Sequence, residues 1–145
     1  MKVYTIIVTG SRDWSDYNAI ARKLAIALGD AKRAGCEKVI IRHGKCKTGA
    51  DAYAAEFCNK IENSIPGLSI VQDAMPAHWG NPPDRTAGPK RNQAMIAKGA
   101  DLCLVFLGAC TSSYCKKPGK HPSHGASGCA RLAEDANIPT IYTWS

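Results

Sequence analysis

The sequence contains no hydrophobic run that approaches the roughly 20 apolar residues needed to span a bilayer. Residues 1–8 are too short, and wrongly flanked, to form a signal peptide. We therefore expect a cytoplasmic protein without a membrane partner. In that compartment the seven cysteines, an odd number, are expected to stay reduced. Cys36, Cys58 and Cys103 lie in apolar or helical patterns, which predicts that they are core residues.

Acidic residues are outnumbered, with 12 Asp and Glu against 19 Lys and Arg, and the net charge is +7. This excess favours an anionic partner, such as a nucleotide, a nucleic acid or phosphate. A long basic run is missing, so we interpret the charge first as solubility plus a locally positive pocket. Aromatic residues are only 7% of the chain, and Trp14 and Trp79 are the best exposed candidates for stacking on bases. A single-stranded nucleic-acid binder is therefore the third-ranked function.

The sequence does contain a regular alternation of apolar strands and amphipathic helices. Strands are predicted over residues 3–8, 38–42, 68–72, 100–107 and 138–144. Helices are predicted over residues 15–34, 50–62 and 127–136, with another that has Pro89 in its first turn. Such alternation gives a parallel sheet with helices on both faces. We predict one α/β domain over residues 1–145, a Rossmann-like doubly wound fold with a five-stranded, mainly parallel sheet and an irregular insert at 108–124.

A polar loop follows the first strand, Gly10-Ser11-Arg12-Asp13-Trp14. In an open α/β sheet, ligands bind outside the carboxyl ends of the strands. Gly10 lets the backbone approach a ligand, Ser11 can donate a hydrogen bond, and Arg12 matches phosphate or carboxylate. The alternative is that Gly10 and Ser11 form only a turn and Arg12 is a solvated charge. Similar loops after later strands favour the ligand-binding interpretation.

The second strand also leads into a glycine-bearing loop, His43-Gly44-Lys45-Cys46-Lys47-Thr48-Gly49-Ala50-Asp51. Thr48 or Gly49 is predicted to begin a helix there, and such helix N-termini are natural anion sites. Asp51 is expected in the first helical turn, where it either caps the helix or contacts a ligand. Gly44 and Gly49 have the spacing of a P-loop, but Ala50-Asp51 replace the Lys-Ser/Thr that should follow, so that motif is rejected.

A long loop with several prolines follows the third strand, and functional loops are often of this length. It contains Trp79, which we expect to cover the core, with stacking on a base as the alternative. The next helix begins with Gly88 and Pro89, and it carries Arg91 and Asn92 in its positively polarised first turn. The full set of predicted ligand-binding residues is Gly10, Ser11, Arg12, Asp13, Trp14, His43, Gly44, Thr48, Gly49, Ala50, Asp51, Trp79, Gly88, Arg91, Asn92, Gly125 and Ser127.

Together these loops resemble the YspA-like, SMF/DprA–LOG (SLOG) superfamily of Rossmann-like domains. The resemblance spans nearly the whole chain and is of the phage or actinobacterial type. Its motifs are Thr9-Gly10-Ser11-Arg12-Asp13-Trp14, His43-Gly44, Gly49-Ala50-Asp51, Pro76-Ala77-His78-Trp79, Gly88-Pro89-x-Arg91-Asn92-x-x-Met95 and Gly125-Ala126-Ser127. It implies a pocket for a nucleotide or nucleotide-derived ligand at the carboxyl edge of the sheet. A binding protein, either a sensor or a sequestering module, is the preferred function. A homodimer through surface helices is a further expectation.

Some relatives in this superfamily, the LOG enzymes, are phosphoribohydrolases with a Pro-Gly-Gly-x-Gly-Thr signature followed by a catalytic Glu. This chain instead has His124-Gly125-Ala126-Ser127-Gly128-Cys129, and its nearest acid, Glu134, lies two turns further along the helix. The alternative function is therefore an N-glycosidic hydrolase of a nucleoside phosphate or an ADP-ribose-type substrate. It needs a carboxylate, for which the candidates are Asp13, Asp51 and Asp84.

The insert and the start of the last helix carry a group of candidate zinc ligands: Cys110, Cys115, His121, His124 and Cys129. A structural zinc site takes four such ligands, and a metal would order a segment rich in Ser, Lys, Gly and Pro. The spacing differs from the common zinc motifs, so reduced thiols in a surface loop are the main alternative. A third interpretation is a reactive Cys129, with its thiol pKa lowered by a place in the first turn of the last helix.

Overall fold

The computed structural model of the chain describes residues 1–61, 64–108 and 124–144. Its elements, in chain order, are β1 (Val3–Gly10), α1 (Tyr17–Arg33), β2 (Lys38–His43), α2 (Gly49–Ile61), β3 (Ser69–Ala74), α3 (Ala87–Ala97), β4 (Leu102–Leu107), α4 (His124–Asp135) and β5 (Thr140–Trp144). The predicted alternation of strands and helices is confirmed. Within the described ranges, no helix is long and apolar enough to cross a membrane.

The strands form one sheet in the order β3-β2-β1-β4-β5, and every neighbouring pair is parallel. The predicted Rossmann-like α/β fold is therefore confirmed, with a sheet that is parallel throughout. The strand order reverses direction between β1 and β4, whose register sets Gly10 beside Phe106. In folds of this class, ligands bind in the crevice at this point of reversal.

Helices cover both faces of the sheet. One core cluster joins β1 to α1 and α2, and a second joins β1 and β4 to α4. All six residues of β4 are buried, as expected for a central parallel strand with both faces covered. The predicted core cysteines, Cys36, Cys58 and Cys103, are all buried.

The ends of the helices show where sequence signals suffice. Asp16 caps α1 by accepting a hydrogen bond from the Ala19 N–H at 3.1 Å. In contrast, α4 starts at His124, three residues before the predicted start. Ala126, Ala130 and Ala133 pack against the sheet from this helix. Their burial outweighs the poor helix propensity of the glycines between them.

Candidate functional site

Ser11 joins the two strands that border the crevice. Its N–H donates to the Phe106 carbonyl at 2.9 Å, and its Oγ accepts from the Gly108 N–H at 2.7 Å. The side chain is buried, so these bonds form within the core of the carboxyl edge. The predicted site residue Ser11 therefore fixes the spacing of β1 and β4.

Two predicted glycines let the loop after β1 lie directly on the start of α2. A Cβ on Gly10 would lie 2.7 Å from the Phe106 carbonyl oxygen and would also overlap the side chain of Ala50. Gly49 has a φ of +75°, and its Cβ would lie 2.6 Å from the carbonyl group of Arg12. Backbone contacts at these distances exclude any larger residue, so both glycines are explained by packing within the chain.

The loop after β2 is filled by polar groups of the chain itself. The buried His43 ring accepts from the Lys45 N–H at Nδ1 (2.9 Å), and its Nε2 lies 2.6 Å from Gln72 Oε1. Because Nδ1 accepts, Nε2 carries the ring hydrogen and donates to Gln72. Asp51, also buried, accepts from the Cys46 N–H at 3.3 Å. Asp51 lies in the first turn of α2, as predicted, and its carboxylate binds the loop that precedes the helix.

Arg91 and Asn92 connect three elements at the carboxyl edge. Arg91 Nη1 donates to the Gly44 carbonyl at 2.5 Å and approaches the Met75 carbonyl at 3.4 Å. Its Nε donates to Asn92 Oδ1 at 2.8 Å, and Asn92 Nδ2 donates to the Gly125 carbonyl at 3.4 Å. A Cβ on Gly44 would overlap the Arg91 guanidinium. Arg91 and Asn92 lie in the second turn of α3 and not in the predicted first turn, because the helix begins at Ala87. They tie this helix to the loops after β2 and β3 and to α4.

Trp79 lies at the mouth of this edge, between Arg12 and Gly88. The Arg12 Cζ is 5.6 Å from the centroid of the indole ring. A Cβ on Gly88 would come within 3.1 Å of the ring carbon Cη2. Trp79 is 38% exposed and belongs to neither core cluster of the described residues. Its ring covers the buried Gly88 in α3, so Trp79 is not itself a core residue, and stacking on a base stays a prediction.

Trp14 has the opposite environment. Its ring is buried, packs edge-on against Phe106 at a centroid distance of 5.5 Å, and donates its indole N–H to the Asp16 carbonyl at 2.8 Å. The expectation that Trp14 is exposed for base stacking is wrong, because the short loop turns its ring back into the core.

The three candidate catalytic acids lie in different surroundings. Asp84 is exposed and accepts from both the N–H and the hydroxyl of Thr86, at 2.9 and 2.6 Å. These bonds, together with Lys90, hold the pKa of the Asp84 carboxyl below its ordinary value. Asp51 is buried against its own loop, whereas Asp13 is exposed and has a partner within the chain.

Cys46 shows that positive charge gathers beside the loop after β2. Burial is the largest influence on its thiol and raises the pKa, as does Asp51, while Arg91 and Arg12 lower it. Arg12 comes from the loop after β1, and Arg91 comes from α3. Two guanidinium groups therefore belong to the carboxyl edge, one bonded to the Gly44 carbonyl and the other over the Trp79 ring.

Cys129 lies in the second turn of α4, since that helix begins at His124. Burial raises the pKa of its thiol to about 11, although the Thr9 hydroxyl and Arg91 favour the thiolate. The interpretation of Cys129 as a reactive thiol of lowered pKa is therefore wrong. The early helix start moves it away from the helix end and into the core.

The zinc prediction falls mostly outside the described residues. Cys110, Cys115, His121 and the side chain of His124 lie there. In the ranges that the structure covers, no group of His, Cys, Asp and Glu side chains has the arrangement of a metal site. Of the remaining predicted residues, Ala50 is buried, Ser127 is half-buried, and Thr48 and Gly125 are exposed at the carboxyl edge.

Arg42 is a structural residue that sequence reasoning missed. It is buried at the end of β2, donates to Asp73 at 2.8 Å, and reaches the Met95 and Gly99 carbonyls at 3.2 and 2.7 Å. A charged residue inside an otherwise apolar strand was the available signal. Cys46 was also missed, because only its spatial neighbours make it informative.

No family model matches the chain. The chain is similar to a protein of Mycobacterium phage D29, which carries the name Gene 61 protein. The two are 29% identical over 137 residues, which cover 94% of this chain and 93% of that protein. The similarity therefore extends over nearly all of both chains and relates this protein to a phage protein.

Proposed function

We propose that the protein binds a nucleotide or a nucleotide-derived ligand at the carboxyl edge of its sheet, as a sensor or a sequestering module. The observation that carries the proposal is the placement of two guanidinium groups at this edge. Arg91 donates to the Gly44 carbonyl in the loop after β2, and Arg12 lies over Trp79, whose ring packs on Gly88 in α3. Arg12 lies in the loop after β1 and Arg91 lies near the start of α3, so both belong to the carboxyl edge, where the strand order reverses. Guanidinium groups match phosphate oxygens in charge and in the geometry of their donors.

The charges in the first turns of the helices favour an anion site at the start of α3 and α4 over one at the start of α2. The first turns of α3 and α4 contain no acidic residue, so their partial positive charge is not offset there. The first turn of α2 contains Asp51, whose carboxylate already accepts from the Cys46 N–H. A phosphate at α2 would have to displace this buried carboxylate.

Binding is favoured over hydrolysis because Asp51, the most buried of the candidate acids, already accepts a hydrogen bond within the chain. Asp51 holds its own loop, and Asp84 holds the exposed turn that begins α3. A hydrolase needs a carboxylate directed at the bond that breaks. The hydrolase function therefore stays the alternative prediction.

The test is a thermal-shift titration with nucleotides, cyclic nucleotides, NAD and ADP-ribose, followed by mass spectrometry of each mixture. A ligand that binds only the folded state raises the melting temperature. We expect a shift with intact ligand, a much smaller shift in Arg12→Gln, and a wild-type shift in the control Arg33→Gln. Arg33 carries the same charge at the opposite end of α1, and its side chain is 73% exposed.

Ligand that shifts the melting temperature and is consumed would replace binding with the hydrolase function. The absence of a shift with every compound would contradict the proposal. Binding of single-stranded DNA that weakens steeply with salt would favour the nucleic-acid function, since each neutralised phosphate releases counterions. Zinc and the homodimer stay predictions, which metal analysis and light scattering test.

A further inference from the structure

The three tryptophans of the chain occupy three kinds of place. Trp14 is buried in the core, and Trp144 is exposed on the edge strand β5, where it stacks on Tyr142. Trp79 is 38% exposed at the carboxyl edge, under the Arg12 guanidinium. An exposed aromatic ring next to an anion site has both parts that a nucleotide requires, because every base has a π-face.

Trp79 is held in this place by the start of α3. The Trp79 carbonyl accepts from the Asp84 N–H at 2.5 Å, which closes the loop between them. The Asp84 carboxylate then accepts from the N–H and hydroxyl of Thr86, the residue before α3. The benzene edge of the indole lies over Gly88, where a Cβ would be only 3.1 Å away. These hydrogen bonds and the packing on Gly88 therefore fix the position of the indole ring.

Arg12 covers one side of this ring. Its Cζ lies 5.6 Å from the ring centroid, and its side chain is exposed. A planar base between the two groups needs about 7 Å, which is two contacts of about 3.5 Å each. Arg12 must then withdraw by roughly 1.5 Å, which a long exposed side chain can do by rotation. Its guanidinium would stack on the second face of the base, and its N–H groups, which lie in the guanidinium plane, would stay available to the phosphate.

We infer that Trp79 determines ligand specificity by stacking on a nucleobase, with Arg12 on the opposite face of the base. The inference rests on the proposed function and narrows it. The ligand must carry an aromatic ring as well as an anionic group, which Arg91 and the start of α3 attract. Sugar phosphates without a base are then poor ligands.

The test measures dissociation constants by calorimetry for the four nucleoside 5′-monophosphates and for ribose 5-phosphate. For wild-type protein we expect at least one nucleoside monophosphate to bind about tenfold or more tightly than ribose 5-phosphate. Trp79→Ala should remove this preference, so that nucleoside monophosphates bind no more tightly than ribose 5-phosphate does. Trp79→Phe keeps an aromatic face and should restore most of the preference. Trp144→Ala is the matched control and should retain all of it.

The outcomes separate the two proposals. If ribose 5-phosphate binds as tightly as every nucleoside monophosphate, or if Trp79→Ala keeps the wild-type preference, the stacking inference is overturned while nucleotide binding stands. If no compound binds here or in the thermal-shift panel, both proposals fail. Circular dichroism of Trp79→Ala identifies a fold defect, and Trp79→Phe then decides through its own preference for nucleoside monophosphates.

Discussion

The loop after β2 and the segment from β3 to α3 both place glycines beside polar residues. The polar groups of the first are bonded within the chain, whereas the second leaves an aromatic ring exposed. In the first, His43 accepts from the Lys45 N–H and Asp51 accepts from the Cys46 N–H, so the chain fills its own loop. In the second, Trp79 is 38% exposed under the exposed guanidinium of Arg12. A buried carboxylate from the following helix makes the difference. A glycine loop with a helix N-terminus is thus available to an anion only where the chain supplies none itself.

Gly49→Ala should have the largest effect, because it breaks the packing of the filled loop. The new Cβ would lie 2.6 Å from the Arg12 carbonyl group at a φ of +75°. We expect the free energy of unfolding to fall by roughly 2–4 kcal/mol in urea denaturation. Gly35→Ala is the control, since its φ is +86° with no atom near the added Cβ. It should cost about 1 kcal/mol, and equal losses in the two variants would contradict the packing argument.

Asp51→Ala should have the next largest effect on stability, because it leaves the Cys46 N–H without its acceptor. We expect a loss of about 1–3 kcal/mol in the free energy of unfolding. The matched variant Asp84→Ala removes an exposed carboxylate and should destabilise the protein less than Asp51→Ala does. If Asp51→Ala proves as stable as wild type, the carboxylate does not hold the loop and its catalytic interpretation gains.

Asp73→Asn should have a smaller effect that depends on pH. Burial raises the pKa of Asp73, but hydrogen bonds from Arg42 and Lys98 lower it to below its ordinary value of 3.8. The stability gained from this shift is present above about pH 4 and is lost as pH falls through the lower, folded-state pKa. At pH 7 we expect the free energy of unfolding of the variant to be about 1 kcal/mol lower than that of the wild type. A gap of the same size at pH 3 would contradict this origin.

The smallest predicted effect is a change in the reactivity of the Cys46 thiol. Burial and Asp51 raise the pKa of its thiol, so its alkylation at pH 7.5 should be slower than that of an exposed cysteine. Asp51→Asn removes the negative charge and should lower this pKa, which accelerates alkylation of the Cys46 peptide in mass spectrometry. The buried Cys58, with a pKa raised to about 11, is the internal control and should stay protected in both proteins. An unchanged Cys46 rate would show that Asp51 does not act on it.

The alternation of strands and helices was sufficient to predict the fold, because its period and its apolar runs are local properties. The environments of the individual site residues depend instead on residues that are distant in sequence. Trp14 and Trp79 look alike in sequence, but only the packing of Phe106 against one and of Gly88 against the other separates them. Likewise, Cys129 was expected at a helix end, and burial of alanines next to it starts the helix earlier. Sequence therefore predicted which loops lie at the carboxyl edge, and neighbours distant in sequence decided what each residue contacts.

The most direct test is a ¹H–¹⁵N NMR titration of the protein with a nucleoside 5′-monophosphate that binds in calorimetry. The three indole N–H groups and the backbone amides report separately on the filled loop and on the Trp79 side of the edge. We expect the largest shifts at the Trp79 indole and in residues 11–13 and 84–92, with small shifts in residues 45–51. Large shifts in residues 45–51 with an unaffected Trp79 indole would contradict the account and place the anion at α2.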